Sequence, residues 1–154
     1  MRIGKVTPQL FLGPAPVDAD DFQQLKKLNV TAIFSVEKSD EGSGNEIEEE
    51  RNAATWAGIK FTNVEVADFD RAELAMKLPE CVKALESMVA AGDTVYLHCT
   101  AGVNRSPTVA VAYLHWSLGR PLDEALEEVS MCRNCLPDAE AVRLASRRRC
   151  KATI

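Results

Sequence analysis

Apolar positions recur along this chain with two alternating periods, one typical of β-strands and the other of amphipathic helices. Short β-branched or aromatic runs predict strands at 9–13, 31–36, 60–66 and 94–98. Apolar positions at three-to-four spacing predict helices over 17–28, 46–56, 74–91, 106–118, 121–132 and 137–149. This alternation of strands and helices favours a single α/β domain over residues 1–154 with a largely parallel central sheet.

Local signals place the ends of several of these elements. Asp18 stands where a side chain can cap the first helix, and Pro121 opens a later one. The polar, glycine-bearing stretch 38–45 is the most loop-like part of the chain. In a parallel sheet we expect the active loop at the carboxyl edge of the strands, where such folds bind ligands.

The strand at 94–98 runs directly into a short loop and then into a helix. This loop and its borders are His98, Cys99, Thr100, Ala101, Gly102, Val103, Asn104, Arg105 and Ser106. Backbone N–H groups and the helix dipole at such a junction favour an anion and also a cysteine thiolate. The planar fork of Arg105 can bind two oxygens of a phosphate. The pattern therefore predicts attack of the Cys99 sulfur on phosphorus, and the alternative is an inert, buried structural cysteine.

A second group is needed to protonate the leaving oxygen, and carboxylates commonly do so from a separate segment. The loop between the strand at 60–66 and the helix at 74–91 contains Asp68 and Asp70. Asp70 lies closer to the helix start and suits a capping role better. We therefore predict that Asp68 is the general acid.

These residues resemble the cysteine-dependent dual-specificity phosphatases, whose signature is His-Cys-x5-Arg-Ser/Thr with an aspartate about thirty positions upstream. The similarity runs from the strand at 9–13, the family's usual opening strand, to the helix that ends near Arg149. The resemblance implies a protein-tyrosine-phosphatase-like three-layer fold with a mostly parallel sheet of about five strands flanked by helices.

The same resemblance implies a role for each signature residue. Cys99 would form a phosphocysteine while Arg105 and the backbone amides of the loop hold the phosphate. The loop positions concerned are Thr100, Ala101, Gly102, Val103, Asn104 and Arg105. Asp68 would protonate the leaving group and then activate water, with Ser106 supporting the cysteine as it leaves. His98 would orient the loop, although a buried histidine satisfied by the backbone is an equally good interpretation. No metal and no cofactor are expected, because Arg105 and the amides meet the charge on phosphorus.

Within this family, three segments resemble the plant starch (glucan) phosphatases and the related laforin. They are 68–70, 113–116 and 133–137. In that group aromatic side chains stack on sugars, which would give Phe69, beside Asp70, a place in the substrate channel. A core phenylalanine is the alternative, and Trp116 is expected to pack. Asn104 stands where the glucan enzymes usually carry glycine, and neither a carbohydrate-binding module nor their longer C-terminal tail is expected. We therefore predict a phosphoprotein substrate first and a phosphoglucan second.

Other classes fit the signature less well. Phosphoinositide phosphatases of this superfamily carry lysines inside the loop, whereas the loop here is neutral. Receptor-type tyrosine phosphatase domains are far longer and have a deep pocket, so a chain of 154 residues predicts a shallow one that admits phosphoserine and phosphothreonine. A non-catalytic phospho-binding module remains an alternative, against which the combination of Cys99, Arg105 and Asp68 argues. A sulfurtransferase, which also uses a loop cysteine as nucleophile, is another alternative, against which the Asp68 loop and the Arg105–Ser106 pair argue.

Composition limits the partners and the cellular compartment that we expect. A net charge of −5 favours neither nucleic acid nor an anionic membrane as a partner, and no stretch has membrane-spanning length. Five cysteines without a secretory signal argue against a disulfide framework, so we expect an intracellular monomer. The cytoplasm is the expected compartment, or a plastid if a transit peptide is removed. Cys132 and Cys135 lack the second pair of a zinc site. A protective disulfide between Cys99 and either Cys135 or Cys81 is a hypothesis.

Overall fold

A five-stranded sheet in the order β1-β2-β5-β3-β4 forms the centre of the molecule. The structure, a computed structural model, describes residues 1–42, 44 and 46–152, with the backbone alone for 151 and 152. The strands are β1 Gly4–Thr7, β2 Leu10–Gly13, β3 Ala32–Ser35, β4 Lys60–Asn63 and β5 Val95–His98. β1 is antiparallel to β2, and the other neighbouring strands are parallel. The predicted α/β class and mostly parallel sheet are confirmed.

Helices cover both faces of this sheet and make it the middle of three layers. They are α1 Ala19–Lys27, α2 Glu46–Ala57, α3 Arg71–Ala90, α4 Arg105–Trp116, α5 Leu122–Cys132 and α6 Ala139–Ala152. Side chains alternate along each strand. Phe11 of β2 packs with α1 and α2, whereas its neighbours Leu10 and Leu12 pack with α3 to α6. Each face therefore has its own buried cluster.

The structure corrects several predicted boundaries. β1 was not predicted, so the first strand of the chain is Gly4–Thr7 and not 9–13. β1 lies at the sheet edge, is only half-buried and lacks a clear apolar alternation. β4 ends at Asn63 instead of residue 66, and α3 begins at Arg71 because Asp70 caps it there. Asp18 caps α1 as expected. Within the predicted loop 38–45, Ser43 and Asn45 lie outside the described residues.

Three parallel strands end together at one edge of the sheet. His98 at the end of β5 is in register with Gly13 of β2 on one side and with Ser35 of β3 on the other. The loops that follow these strands therefore converge, and the loop after β4 lies beside them. Of the helices in the described part of the chain, none combines the length and the apolar character needed to cross a membrane.

Candidate active site

The loop between β5 and α4 is bound tightly to the loop after β2. Gly102 has φ of +70°, and a Cβ there would lie 2.6 Å from the carbonyl oxygen of Gly13. The backbone N–H of Ala15 donates to the carbonyl oxygen of Thr100 at 3.1 Å. Only glycine meets both the left-handed backbone and the close approach at position 102. The loop therefore has one compact conformation with Cys99, 3% exposed, at its base.

The turn after α5 supports the outer side of this loop. The Leu136 N–H donates to the Val103 carbonyl at 2.7 Å, and the Asn104 side-chain amide donates back to the Leu136 carbonyl at 3.0 Å. Nη2 of Arg133 donates to the Ala101 carbonyl at 3.1 Å. Asn104 thus has a structural task that explains an amide at this position.

Two neighbours of Cys99 contact it directly. The Ser106 hydroxyl donates to the Cys99 sulfur at 3.3 Å, and Nδ1 of His98 lies 2.8 Å from the Cys99 carbonyl oxygen. All three residues are buried. A hydroxyl at this distance can donate to negative charge that develops on the sulfur.

His98 lies between acceptors on both sides of its ring. Its Nε2 is 2.6 Å from the buried Glu50 carboxylate, and its Nδ1 is also 3.5 Å from Glu37. Burial alone would lower the pKa of His98, but the hydrogen bond and charge of Glu50 outweigh it and raise that pKa. Burial raises the pKa of Glu37. The three groups are close enough to hold a metal ion, but Nδ1 already faces the Cys99 carbonyl oxygen and Nε2 already faces the Glu50 carboxylate, so each ring nitrogen has a protein partner.

Arg105 presents two edges that differ in their partners. Its two Nη atoms bind the Glu41 carboxylate at 2.7 and 2.8 Å, and Nη1 also donates to the Val66 carbonyl at 2.8 Å. Burial would raise the pKa of Glu41, but the Arg105 hydrogen bonds and charge outweigh it and lower that pKa. Nη2 lies 3.3 Å from the Thr100 hydroxyl and Nε lies 3.5 Å from Asp68. Nε is buried and has no hydrogen-bond partner among the described residues.

The loop between β4 and α3 carries the two predicted candidates for the acid. Asp68 is one-third exposed and faces Arg105, whereas the Asp70 side chain accepts from the Glu73 N–H and caps α3. The Glu73 carboxylate in turn accepts from the Ala67 N–H at 2.6 Å. Phe69 is 98% exposed with φ of +57°, a conformation uncommon for a bulky residue.

The structure therefore brings five of the predicted site residues together, whereas Asp70 caps α3 and Trp116 packs away from the site. Cys99, Arg105, Ser106, His98 and Asp68 meet at the carboxyl edge of the sheet. Phe69 is not the core residue of the alternative interpretation, because its side chain is exposed. Trp116 packs as expected, with its indole N–H on Ser146 and the Arg149 guanidinium over its ring.

Cys81, Cys132 and Cys135, which lie outside the loop, are free thiols. Burial raises the pKa of Cys81 to about 12 and that of Cys132 to about 11, and it also raises the pKa of Cys135. Thiols with raised pKa values are poor nucleophiles near neutral pH. The protective disulfide with Cys99 stays a prediction.

Sequence reasoning missed three carboxylates of the site: Glu37, Glu41 and Glu50. Glu50 shares one helix face with Ile47 and Ala54, so a charge in a row of buried apolar positions was its signal. Glu37 follows β3 directly, at the edge where ligands bind. Glu41 lies in a polar loop and nothing in its surroundings along the chain distinguishes it.

A buried cysteine, an arginine fork and a facing carboxylate meet on this sheet edge, which is the arrangement of a cysteine-based phosphatase domain. The family model for the dual specificity phosphatase catalytic domain matches residues 10–142. The chain belongs to the dual specificity phosphatase family.

Individual relatives agree with this family. Phosphoglucan phosphatase DSP4 of Castanea sativa is 32% identical over 92% of this chain, and human dual specificity protein phosphatase 22 is 29% identical over 86%. The matches span 39% and 65% of those two relatives, so the chain covers less than two thirds of either. The crystal structure of a point variant of human DUSP28 matches all of this chain and 99% of its own, with a TM-score of 0.74 at 26% identity.

Proposed function

We propose that this chain hydrolyses phosphotyrosine, phosphoserine and phosphothreonine in proteins through a phosphocysteine intermediate. The observation that carries the proposal is the buried Nε of Arg105, which lacks a hydrogen-bond partner in the described structure and lies 3.5 Å from Asp68, while the adjacent Nη2 donates to the Thr100 hydroxyl at 3.3 Å. Because Glu41 occupies the Nη edge of the guanidinium, the Nε/Nη2 edge is the one that can bind two phosphate oxygens.

In the first step the Cys99 sulfur attacks phosphorus. The S–P bond forms as the P–O ester bond breaks, and Asp68 gives its proton to the departing oxygen so that a neutral alcohol leaves. Arg105 and the loop amides stabilise the charge on the equatorial oxygens. Asp68 suits the acid role because it faces Arg105, whereas Asp70 is engaged at the start of α3.

In the second step water attacks the phosphocysteine. The Asp68 carboxylate takes the proton of the water, the P–S bond breaks, and inorganic phosphate and the Cys99 thiolate are released. The Ser106 hydroxyl, 3.3 Å from the sulfur, stabilises that thiolate as it leaves. His98 acts through the Cys99 carbonyl, which holds the loop in position.

The test compares phosphate release from phosphotyrosine and phosphothreonine peptides with release from solubilised amylopectin, with Cys99→Ser as the blank. We expect release from both peptides and none from the blank. Release from amylopectin alone would replace the phosphoprotein assignment. If no phosphate is released from any substrate but Cys99→Ser still binds the peptides, the chain is a phospho-binding module and not an enzyme.

A phosphoglucan is the second candidate, and the observation in its favour is Phe69. This ring is almost fully exposed beside Asp68 and is held with positive φ. Backbone strain of this kind at a candidate site suggests a functional demand. Stacking of a sugar ring on Phe69 is a function that would explain this strained, exposed position. The Castanea sativa relative is named a phosphoglucan phosphatase.

The proposed chemistry needs a reduced Cys99. Cys81, Cys99, Cys132 and Cys135 are free thiols in the structure, which suits a reducing compartment. We therefore place the domain in the cytoplasm, with a plastid as the alternative because the Castanea sativa relative is amyloplastic.

A further inference from the structure

A groove between α1 and α2 begins at the loop between β5 and α4, residues 99–105, which is the proposed phosphate-binding loop. Its inner part is a cavity of about 360 Å³ that is lined by Thr100 of that loop and by Glu37. Its outer part is a cavity of about 430 Å³ that reaches Trp56. Val17, Phe22 and Ala53 line both parts, so they form one continuous depression, the α1–α2 groove.

The inner part of the groove is acidic. Its lining contains four glutamates: Glu37, Glu46, Glu49 and Glu50. The charge of Glu50 is matched by His98, but Glu49 is exposed and forms no ion pair with the residues that the structure describes. Carboxylates over an apolar floor suit the long stem and cationic head of lysine or arginine.

The outer part of the groove is apolar and open. Trp56 is 93% exposed and Val17 is 82% exposed, so both side chains present apolar surface to solvent. Exposed aromatic residues next to a concave surface are typical anchors for a partner. None of the roles proposed above for the catalytic residues uses either of these side chains.

The spacing along α2 fixes the distance between the two parts. Glu49, Ala53 and Trp56 lie at i, i+4 and i+7, so they share one face of the helix. Seven residues of helix rise about 10 Å. A peptide in the polyproline II conformation covers about 9 Å with three residues and makes one turn over that length, so positions i and i+3 lie on the same side. An occupant that used both parts would carry its basic and apolar side chains about three positions apart.

We propose that the α1–α2 groove binds the segment of a phosphoprotein substrate that flanks the phosphorylated residue. The segment carries lysine or arginine next to that residue and an apolar side chain about three positions farther on. The charge of the groove favours a cationic segment and disfavours nucleic acid, inositol phosphates and multiply phosphorylated glucans. This inference rests on the proposed phosphoprotein activity and names the substrates that the site prefers.

The test measures kcat/KM on four phosphotyrosine peptides at low salt. They combine lysine or glutamate beside the phosphotyrosine with leucine or serine three positions beyond. We expect the lysine–leucine peptide to be preferred about tenfold over the glutamate–serine peptide, because attraction between charges raises association and affinity. The lysine preference should shrink in 0.5 M salt, where the Debye length is only a few ångströms.

Matched variants assign the preference to the groove. Glu49→Gln should lower the lysine-to-glutamate ratio about threefold, as expected for one exposed ion pair. Glu48→Gln should leave the ratio unchanged, because this exposed neighbour on α2 pairs with Arg51 and does not line the groove. Trp56→Ser should remove the preference for leucine and keep the preference for lysine. Equal kcat/KM for all four peptides would overturn the proposal, as would a preference that survives both variants.

A separate readout distinguishes failure of the groove from failure of the proposed activity. If no peptide is hydrolysed, the phosphoprotein activity fails. Fluorescence anisotropy of the four peptides on Cys99→Ser then decides the groove. Tighter binding of the lysine–leucine peptide, lost in Cys99→Ser with Glu49→Gln, supports the groove, and equal binding of all four peptides overturns it.

Discussion

The proposed phosphate-binding loop meets the loop between β4 and α3 at Arg105. This second loop, residues 64–70, carries the proposed acid Asp68 and is called the acid loop, and the two loops are held in opposite ways. Cys99, Arg105 and Ser106 are at most 3% exposed, and each is fixed by hydrogen bonds. In the acid loop Asp68 is one-third exposed, and Phe69 is exposed on a strained backbone. A phosphate group is the same in every substrate, so its cradle can be rigid. The leaving group differs, so the surface that meets it is open.

The most damaging change to the rigid side should be Arg105→Lys. Lysine keeps one charge but cannot bind Glu41 and two phosphate oxygens at once, because it lacks the planar fork. Loss of one oriented donor pair lowers kcat/KM about a thousandfold on p-nitrophenyl phosphate. Arg71→Lys is the matched control, since Arg71 is an exposed arginine paired with Asp138. A loss of less than tenfold for Arg105→Lys would show that a point charge suffices.

Substitution of the two aspartates of the acid loop should affect different properties, turnover for Asp68 and stability for Asp70. Asp68→Ala should lower kcat about a hundredfold on phosphothreonine, whose alkoxide leaves poorly, and much less on p-nitrophenyl phosphate. Asp70→Ala should keep most activity and lose about 1 kcal/mol of unfolding free energy, because it removes the cap of α3. Kinetics on both substrates and thermal melts of both variants check this. Equal loss of turnover for the two variants would show that the acid assignment is wrong.

The pH dependence of stability should reveal the buried pair of His98 and Glu50. The pKa of His98 is raised in the folded protein, so the stabilisation is complete below about pH 6.5 and is lost as pH rises through the raised value. Glu50→Gln should therefore cost about 2–3 kcal/mol at pH 6 and progressively less toward pH 9. Glu49→Gln, on the exposed side of α2, serves as the control. A cost of Glu50→Gln that does not vary with pH would mean that His98 is neutral.

The sequence predicted the order and type of the main elements because their apolar periods are strong. β1 was not predicted because this four-residue strand at the sheet edge is only half-buried, and an edge strand needs no continuous apolar run. The ends of β4 and α3 shifted because Asp70 starts the helix one turn earlier than the first apolar position, Leu74. Such a boundary depends on a local hydrogen bond that hydropathy does not record.

The candidate site, like the fold, contains residues that the sequence predicts and residues that it does not. Cys99, Arg105 and Asp68 were predictable because their chemistry dictates their residue types. Among the carboxylates around them, Glu41 was not predictable, since it reaches Arg105 from a loop 64 positions earlier in the chain. Pairing of this kind arises only when the carboxyl ends of β3 and β5 are brought side by side.

The smallest expected effect concerns the strained backbone of the acid loop. Phe69→Asn should raise the unfolding free energy by about 0.5–1 kcal/mol, because asparagine tolerates positive φ better than a bulky residue does. Little packing is lost, since the ring is exposed. Phe69→Leu keeps the strain while removing the aromatic ring, so its melting temperature should stay near that of the wild type. If Phe69→Asn melts lower, the ring packs in solution. If both variants lose release from amylopectin but keep release from peptides, the open side of the site is a sugar platform, and the strain at Phe69 serves glucan binding.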